Sequence, residues 1–318
     1  MTTANPSALG QANLAGAKDA LFLKLFSGEV MSSFNARTVM ADKTRVRNIT
    51  SGKSASFAAI GNIGAEYHVA GTELLGKNVE HGEKVVTIDD LLVSHAFIGN
   101  IDEAKNHYEV RSEYSMQMGA ALAQTYDRSL ISLAVKTARA GDAGAVASQG
   151  AAVSTAIGAT PTVREIVEAV YAEAAAMDAL FLPKEDRVAI VSPATFWQLV
   201  QDDKLLDKDF GDNGSYSEGN VRKVAGFTIV ASPNLGVNHL AGANVAQYPD
   251  FNTKYMADTT DTAVLLFQKT GLATVKLMEM ATESQYDIRR QGTLMVSKMA
   301  VGHGAVRPES IRELRKAV

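Results

Sequence analysis

The chain has 318 residues, enough to bury a large core and to hold two or three compact subdomains. With 46% apolar and 21% charged residues, its composition excludes wholesale disorder. A formal charge of −4 with no lysine–arginine stripe excludes tight, general nucleic-acid binding as its main occupation, and the absence of cysteine excludes disulfides and thiolate metal sites.

The N-terminus, MTTANPSALGQANLAGAKDA, lacks the basic start and long apolar run of a signal peptide, and no stretch reaches the roughly 18 apolar residues of a membrane span. The chain therefore reads as one made and used in the cytoplasm. Residues 1–19 are small and polar, which suits a mobile arm. Leu21, Phe22, Leu25, Val30 and Phe34 then suit a short helix or a clamped arm. Residues 45–100 read as extended. Within them, Gly61 to Gly82 carries five glycines and few large apolar side chains, so it cannot hold itself together without a partner.

From Asp102 to Arg139 the apolar residues recur mostly every three or four positions, with acids in the first turn and Arg139 and Gly141 at the end. One helix of that length would run roughly 57 Å. A compact globule of this chain length is only about 50 Å across, which predicts an elongated subunit. Gly141 to Ala159 reads as a small-residue linker. Thr162 and Glu165 then form a capping box ahead of an amphipathic helix. Arg187 to Val191 reads as a buried strand, followed by a helix with Ser192 as cap and Pro193 at its first position. The loop Asp202 to Asn220 leads into the strands VRKVAGFTIVAS, TAVLLFQK and ATVKLMEM, giving a mixed α+β subdomain over about 160–280. GTLMVSKMAVGHGAVRPES reads as a last strand and a glycine-rich turn returning to the first subdomain.

No motif for catalysis emerges. Gly52-Lys53-Ser54 ends as a phosphate-cradling loop does, but Arg47 occupies the place of its first glycine and β-branched Ile49 and Thr50 resist the required positive φ. Lys84 to Asp90 resembles the apolar strand ending in acid that holds magnesium in nucleotide sites. No helix can follow Ser54, because Gly61 and Gly64 interrupt it, so the tripeptide reads as a turn between two extended segments. The histidines at 68, 81, 95, 107, 239 and 303 lack metal-site spacing and read as surface or turn residues. Asp89-Asp90 and Asp202-Asp203 read as solvated strand or loop ends, and Gly302 to Glu309 reads as a structural corner.

Six blocks, in order, resemble the major capsid proteins of short-tailed bacteriophages (podoviruses) of the coliphage and cyanophage type. They are ALFLKLFSGEV (20–30), VRNITSGKSASF (46–57), EKVVTIDDLL (83–92), IDEAKNHYEVRSEYS (101–115), GFTIVASPNL (226–235) and MAVGHGAVRPES (299–310). The resemblance implies an α+β chain with the tailed-phage/herpesvirus major capsid fold. It divides the sequence into an N-terminal arm with a short helix (1–44), an extended loop hairpin (45–90), a peripheral domain (91–159) with spine helix 102–139, an axial domain (160–280), and a C-terminal return to the peripheral domain (281–318). It further implies pentamers and hexamers that close, in the host bacterial cytoplasm, into an icosahedral capsid around packaged double-stranded DNA. Scaffolding protein and portal are implied as partners, with a decoration protein an open question; DNA is touched only weakly and non-specifically.

No membrane, cofactor, metal or catalytic residue is implied. Lys53, Glu66, Tyr67, Glu80, Arg111 and Glu113 are the inter-subunit candidates, the loop charges pairing with the spine or peripheral face of the next subunit. Some relatives crosslink loop lysines to asparagines, and Lys53 and Lys77 are available, but without an evident acceptor or catalytic acid the shell is expected to be noncovalent. Two alternatives stay open: a bacterial protein-shell compartment (encapsulin-like) of the same fold, and a nucleotide- or metal-dependent enzyme.

Overall fold

The structure, a computed structural model, describes residues 20–61, 63–99, 110–146, 149–201, 223–240 and 252–317, with the backbone alone for 20–27, 110 and 111. The expected arm 1–19, the first turns of the long helix and the loop 202–220 lie outside the described residues. The chain divides into two compact units, Met1–Thr38 with Asp89–Tyr126 and Leu277–Val301, and Val39–Ile88 with Asp127–Lys276 and Gly302–Val318.

In the first unit, α1 (Ala20–Arg37) packs on the N-terminal part of α2 (Val110–Ala140). Gly119 lies within α2 without interrupting it. A Cβ at Gly119 would lie 2.5 Å from the Val30 carbonyl oxygen, so the missing side chain lets the two backbones meet. Ser33 Oγ donates to the Met116 carbonyl at 2.7 Å and Ser115 Oγ to Glu29 at 2.7 Å, tying the crossing with polar bonds. Val30, Met118 and Met295 form the core of this unit, with Ala96, Ile98 and Met280 against it. β4 (Leu92–Gly99) pairs antiparallel with β11 (Gly292–Ala305), from Leu92 opposite Met299 to Gly99 opposite Gly292.

In the second unit a six-stranded mixed sheet has the order β5-β12-β9-β6-β8-β7. Its strands are β5 (Val153–Ile157), β6 (Arg187–Val191), β7 (Lys223–Val224), β8 (Phe227–Ala231), β9 (Thr262–Gln268) and β12 (Ile311–Lys316). Every residue of β6 and β9 is buried, as expected for central strands written as continuous apolar runs. α3 (Val163–Ala179) and α4 (Pro193–Val200) cover the sheet, sharing one core in which Ile166, Val170, Met177 and Leu199 meet Val191, Phe227, Val264 and Leu314. Both helix starts are as the sequence predicts. Thr162 and Glu165 close a reciprocal capping box, and Ser192 accepts from the Thr195 N–H with Pro193 following it.

Two sequence expectations are corrected here. The stretch 141–159 is not all linker: Val153 to Ile157 forms β5, parallel to β12 from Val153 opposite Arg312 to Ile157 opposite Lys316. Three of its five residues, Val153, Thr155 and Ile157, are β-branched, a strand signal diluted by the small residues around it. Nor do residues 281–318 all return to the first unit, since Ile311–Lys316 is inserted between β5 and β9. Its charged residues Arg312 and Glu313 are buried because each has an opposite charge waiting inside.

A four-stranded sheet has the order β1-β10-β11-β4, with β1 (Arg45–Asn48) parallel to the start of β10 (Leu272–Asp287), which runs on past the expected boundary at 280. No helix among the described residues is long and apolar enough to cross a membrane.

Candidate assembly interface

Between β1 and β10 on one side and the glycine-rich segment on the other stands a hairpin. β2 (Ser54–Ile60) and β3 (His81–Thr87) pair antiparallel from Ser54 opposite Thr87 to Ile60 opposite His81. Alternation along β2 sends Ala55, Phe57 and Ala59 inward. There Ala55 and Phe57 join Val86, Ala273, Val275 and Val306 in a small core. Gly52, at φ +111°, makes the turn into β2, and the Lys53 carbonyl accepts from the Ile88 N–H at 2.9 Å. Ser54 therefore opens a strand, not a helix, and the tripeptide has none of the geometry of a phosphate loop.

Beyond the hairpin the chain changes character. The Gly61 N–H donates to the Glu80 carbonyl at 2.8 Å, and the stretch between them forms no strand or helix among its described residues. Of its large apolar side chains, Ile63, Tyr67, Val69, Leu74 and Leu75 face solvent and Val79 is half-buried, with Tyr67 fully exposed and Leu75 87% exposed. Such a row on a loop without a core marks an interaction surface. Polar groups shape the loop locally. Lys77 pairs with Glu66 at 2.7 Å and reaches the Gly64 carbonyl at 3.3 Å, while Thr72 turns back onto the Val69 carbonyl. Gln149 Nε2 donates to the Ile60 carbonyl at 3.0 Å and holds the loop's root.

Four sequence candidates, Lys53, Glu66, Tyr67 and Glu80, thus lie on one hairpin and are all exposed. Glu66 already has a partner in its own loop. Glu113 is exposed in the first described turn of α2 and accepts from Gln117 Nε2 at 3.0 Å, whereas the Arg111 side chain lies outside the described residues. Sequence reasoning passed over Ile63, Val69, Leu74 and Leu75, whose signal was apolar residues stranded among glycines.

Two histidines also differ from expectation. His239 and His303 are buried, not surface residues. His239 Nε2 faces the Asn234 carbonyl at 2.9 Å, and burial is the main cause that lowers its pKa. His303 Nδ1 lies 3.0 Å from Thr274 Oγ1, its backbone N–H donates to Tyr255 Oη at 2.9 Å, and the two rings meet edge to face. Burial, with Lys254 and Lys276 nearby, pushes its imidazole down to about 3. The unfolded residue binds a proton below about pH 6.5 while the folded one stays neutral, so stability falls with pH across that window by up to about 1.4 kcal/mol per unit. Between pH 7 and 5, His303→Asn is expected to lose about 2 kcal/mol less than the unsubstituted chain, read from urea midpoints. Equal losses would mean that His303 titrates normally in the folded state.

Among the described residues no group of three histidines or acids could hold a metal ion.

Comparison with known proteins adds the following. The family model Gp10A-like, described as a major capsid protein, matches residues 56–315. The major capsid protein of Escherichia phage T7 is 31% identical over 93% of this chain and 92% of its own length. The capsid of the cyanophage P-SCSP1u is similar with a TM-score of 0.77 and 38% identity, covering 99% of both chains. A virus-like particle from Pyrococcus furiosus shares the fold at a TM-score of 0.57 but only 13% of its residues, over 92% of this chain and 99% of that one.

Proposed function

The chain belongs to the Gp10A-like family of major capsid proteins, and from that premise we propose that its copies assemble, as pentamers and hexamers, into an icosahedral shell enclosing packaged double-stranded DNA. Its fold is that of tailed-phage capsid subunits. The observation that carries the assembly reading is the row of exposed apolar side chains on the coreless loop from Gly61 to Glu80. A segment of this kind gains order by lying on a neighbour, and about 800 Å² per partner suffices for a stable contact.

Residues 1–44 then act as the N-terminal arm, 45–90 as the extended loop, 91–159 with part of 281–318 as the peripheral domain, and 160–280 with 311–316 as the axial domain. The work is structural and needs no catalytic residue or cofactor. Subunits assemble in the bacterial cytoplasm around a scaffolding protein and a portal, and the mild negative charge keeps the wall from gripping its cargo. A shell compartment of the same fold is not favoured, because the 31% and 38% identities fall on phage capsid proteins.

Negative-stain microscopy and sedimentation of the purified protein, expressed with and without its scaffold, test this. Closed shells are expected. Deleting residues 63–79 is expected to leave soluble subunits with an unchanged urea midpoint and to lower shell yield more than about tenfold, the loss of only about 1.4 kcal/mol of contact energy. Shells formed equally well by the deletion would remove the loop from the interface.

A further inference from the structure

On the hairpin two arginines lie over one aromatic ring, and a lysine stands opposite it in the strand register. Arg45 and Arg47, two residues apart on one face of β1, place their guanidinium carbons 5.4 and 5.8 Å from the centroid of Phe57. Arg47 Nη1 also donates to the Ser56 carbonyl at 2.7 Å. Lys84 lies directly opposite Phe57 in the β2–β3 register, so it stands on the same face of the hairpin. Phe57 itself is only 3% exposed, while Arg45 and Arg47 are open to solvent.

Several other cations of the chain pair with acids: Lys77 with Glu66, Arg139 with Glu313, Arg187 with Asp178, Lys298 with Glu283 and Arg312 with Glu173. Among the described residues, none of Arg45, Arg47 and Lys84 has a carboxylate at ion-pair distance. Arginines laid on a ring keep their planes fixed and their outer N–H groups pointing away, which lowers the ordering cost of binding a carboxylate.

We propose that Arg45 and Arg47, laid over Phe57, together with Lys84 opposite it, are the docking point for a carboxylate-bearing segment of a second copy of this chain. The inference rests on the shell reading above and names the charge partner that its interface requires. Two features select a second copy. The cluster is continuous along the hairpin with the exposed loop, and the chain as a whole carries 35 acidic against 31 basic residues, so its copies offer carboxylates in slight excess.

The test compares three proteins: the unsubstituted chain, the triple variant Arg45→Gln, Arg47→Gln, Lys84→Gln, and the double variant Arg45→Lys, Arg47→Lys, which keeps the charges. Shell yield is measured by sedimentation, and urea unfolding is followed on unassembled subunits. The triple variant is expected to keep its unfolding midpoint and to lose about tenfold or more in shell yield, with the lysine variant within about threefold of the unsubstituted chain. Raising salt from about 50 to about 300 mM is expected to lower the yield of the unsubstituted chain and leave that of the triple variant flat.

Undiminished shell yield from the triple variant at low salt would overturn the proposal. So would a lowered midpoint in both variants, which would give the arginines a packing role alone. Normal shells with reduced DNA content would also overturn it and point the cluster at nucleic acid. Absence of shells from the unsubstituted chain with its scaffold would instead overturn the shell reading beneath it.

Discussion

Replacing Glu313 by alanine is expected to cost the second unit about 4 kcal/mol, among the largest effects of any single change in this chain. The Glu313 side chain is completely buried and sits where β12 is enclosed by β5 and β9. Its two oxygens accept from Arg139 Nε at 3.0 and 3.1 Å and Nη2 at 2.8 Å, from Thr262 Oγ1 at 2.6 Å and from Ser154 Oγ at 2.8 Å. Removing it leaves a guanidinium and two hydroxyls facing a void. Arg139 retains only the Asp258 carbonyl at 2.6 Å and Thr262 at 3.2 Å. Glu313→Gln, which keeps the volume and part of the bonding, is expected to cost about half as much, since hydrogen bonds to charged groups contribute about 1.5–3 kcal/mol. Urea midpoints of unassembled subunits decide it. A loss below about 1 kcal/mol would mean that Arg139, 22% exposed, turns out to solvent and finds water instead.

The second large effect is steric. Gly302 and Gly304 share one face of β11, and the end of the hairpin presses on both. A Cβ at Gly302 would fall 2.1 Å from the Thr87 carbonyl oxygen and 2.8 Å from Ile88 Cα, so backbone must move. At Gly304 it would meet Val86 Cγ2 at 2.5 Å, the end of a side chain that has other rotamers. Gly302→Ala is therefore expected to cost about 3 kcal/mol and to open the hairpin root to protease, and Gly304→Ala about half that. Equal costs, or the reverse order, would show that the hairpin yields as a body and that the close approach is not what selects glycine here.

These residues also show where the sequence was legible. The capping box at Thr162, the Ser192–Pro193 start and the apolar run RVAIV were readable because each is decided within one turn or one strand. β5 and β12 were not, because each owes its place to the other across the sheet. The charged look of IRELRK hid a buried strand whose partners, Arg139 and Glu173, lie far away in the chain. His303 was taken as a corner residue between glycines, and only the approach of Thr274 and Tyr255 from other segments explains its burial. The segment from Gly61 to Gly82 was legible as glycine-rich and coreless. That Arg45 and Arg47 lean on Phe57 was not, since the alternation of a four-residue strand says nothing about which neighbour it meets.

The strand order of the six-stranded sheet carries a consequence for biosynthesis. β12 lies between β5 and β9, yet it leaves the ribosome after both. Until it emerges, the nascent chain holds two unzipped edges, and the arginine of α2 and the glutamate of α3 that close on β12 have no counter-charge. A polypeptide cut short before Ile311 would stay in that open state and fall to chaperone or protease. The six-stranded sheet is therefore complete only in molecules whose translation has passed β12.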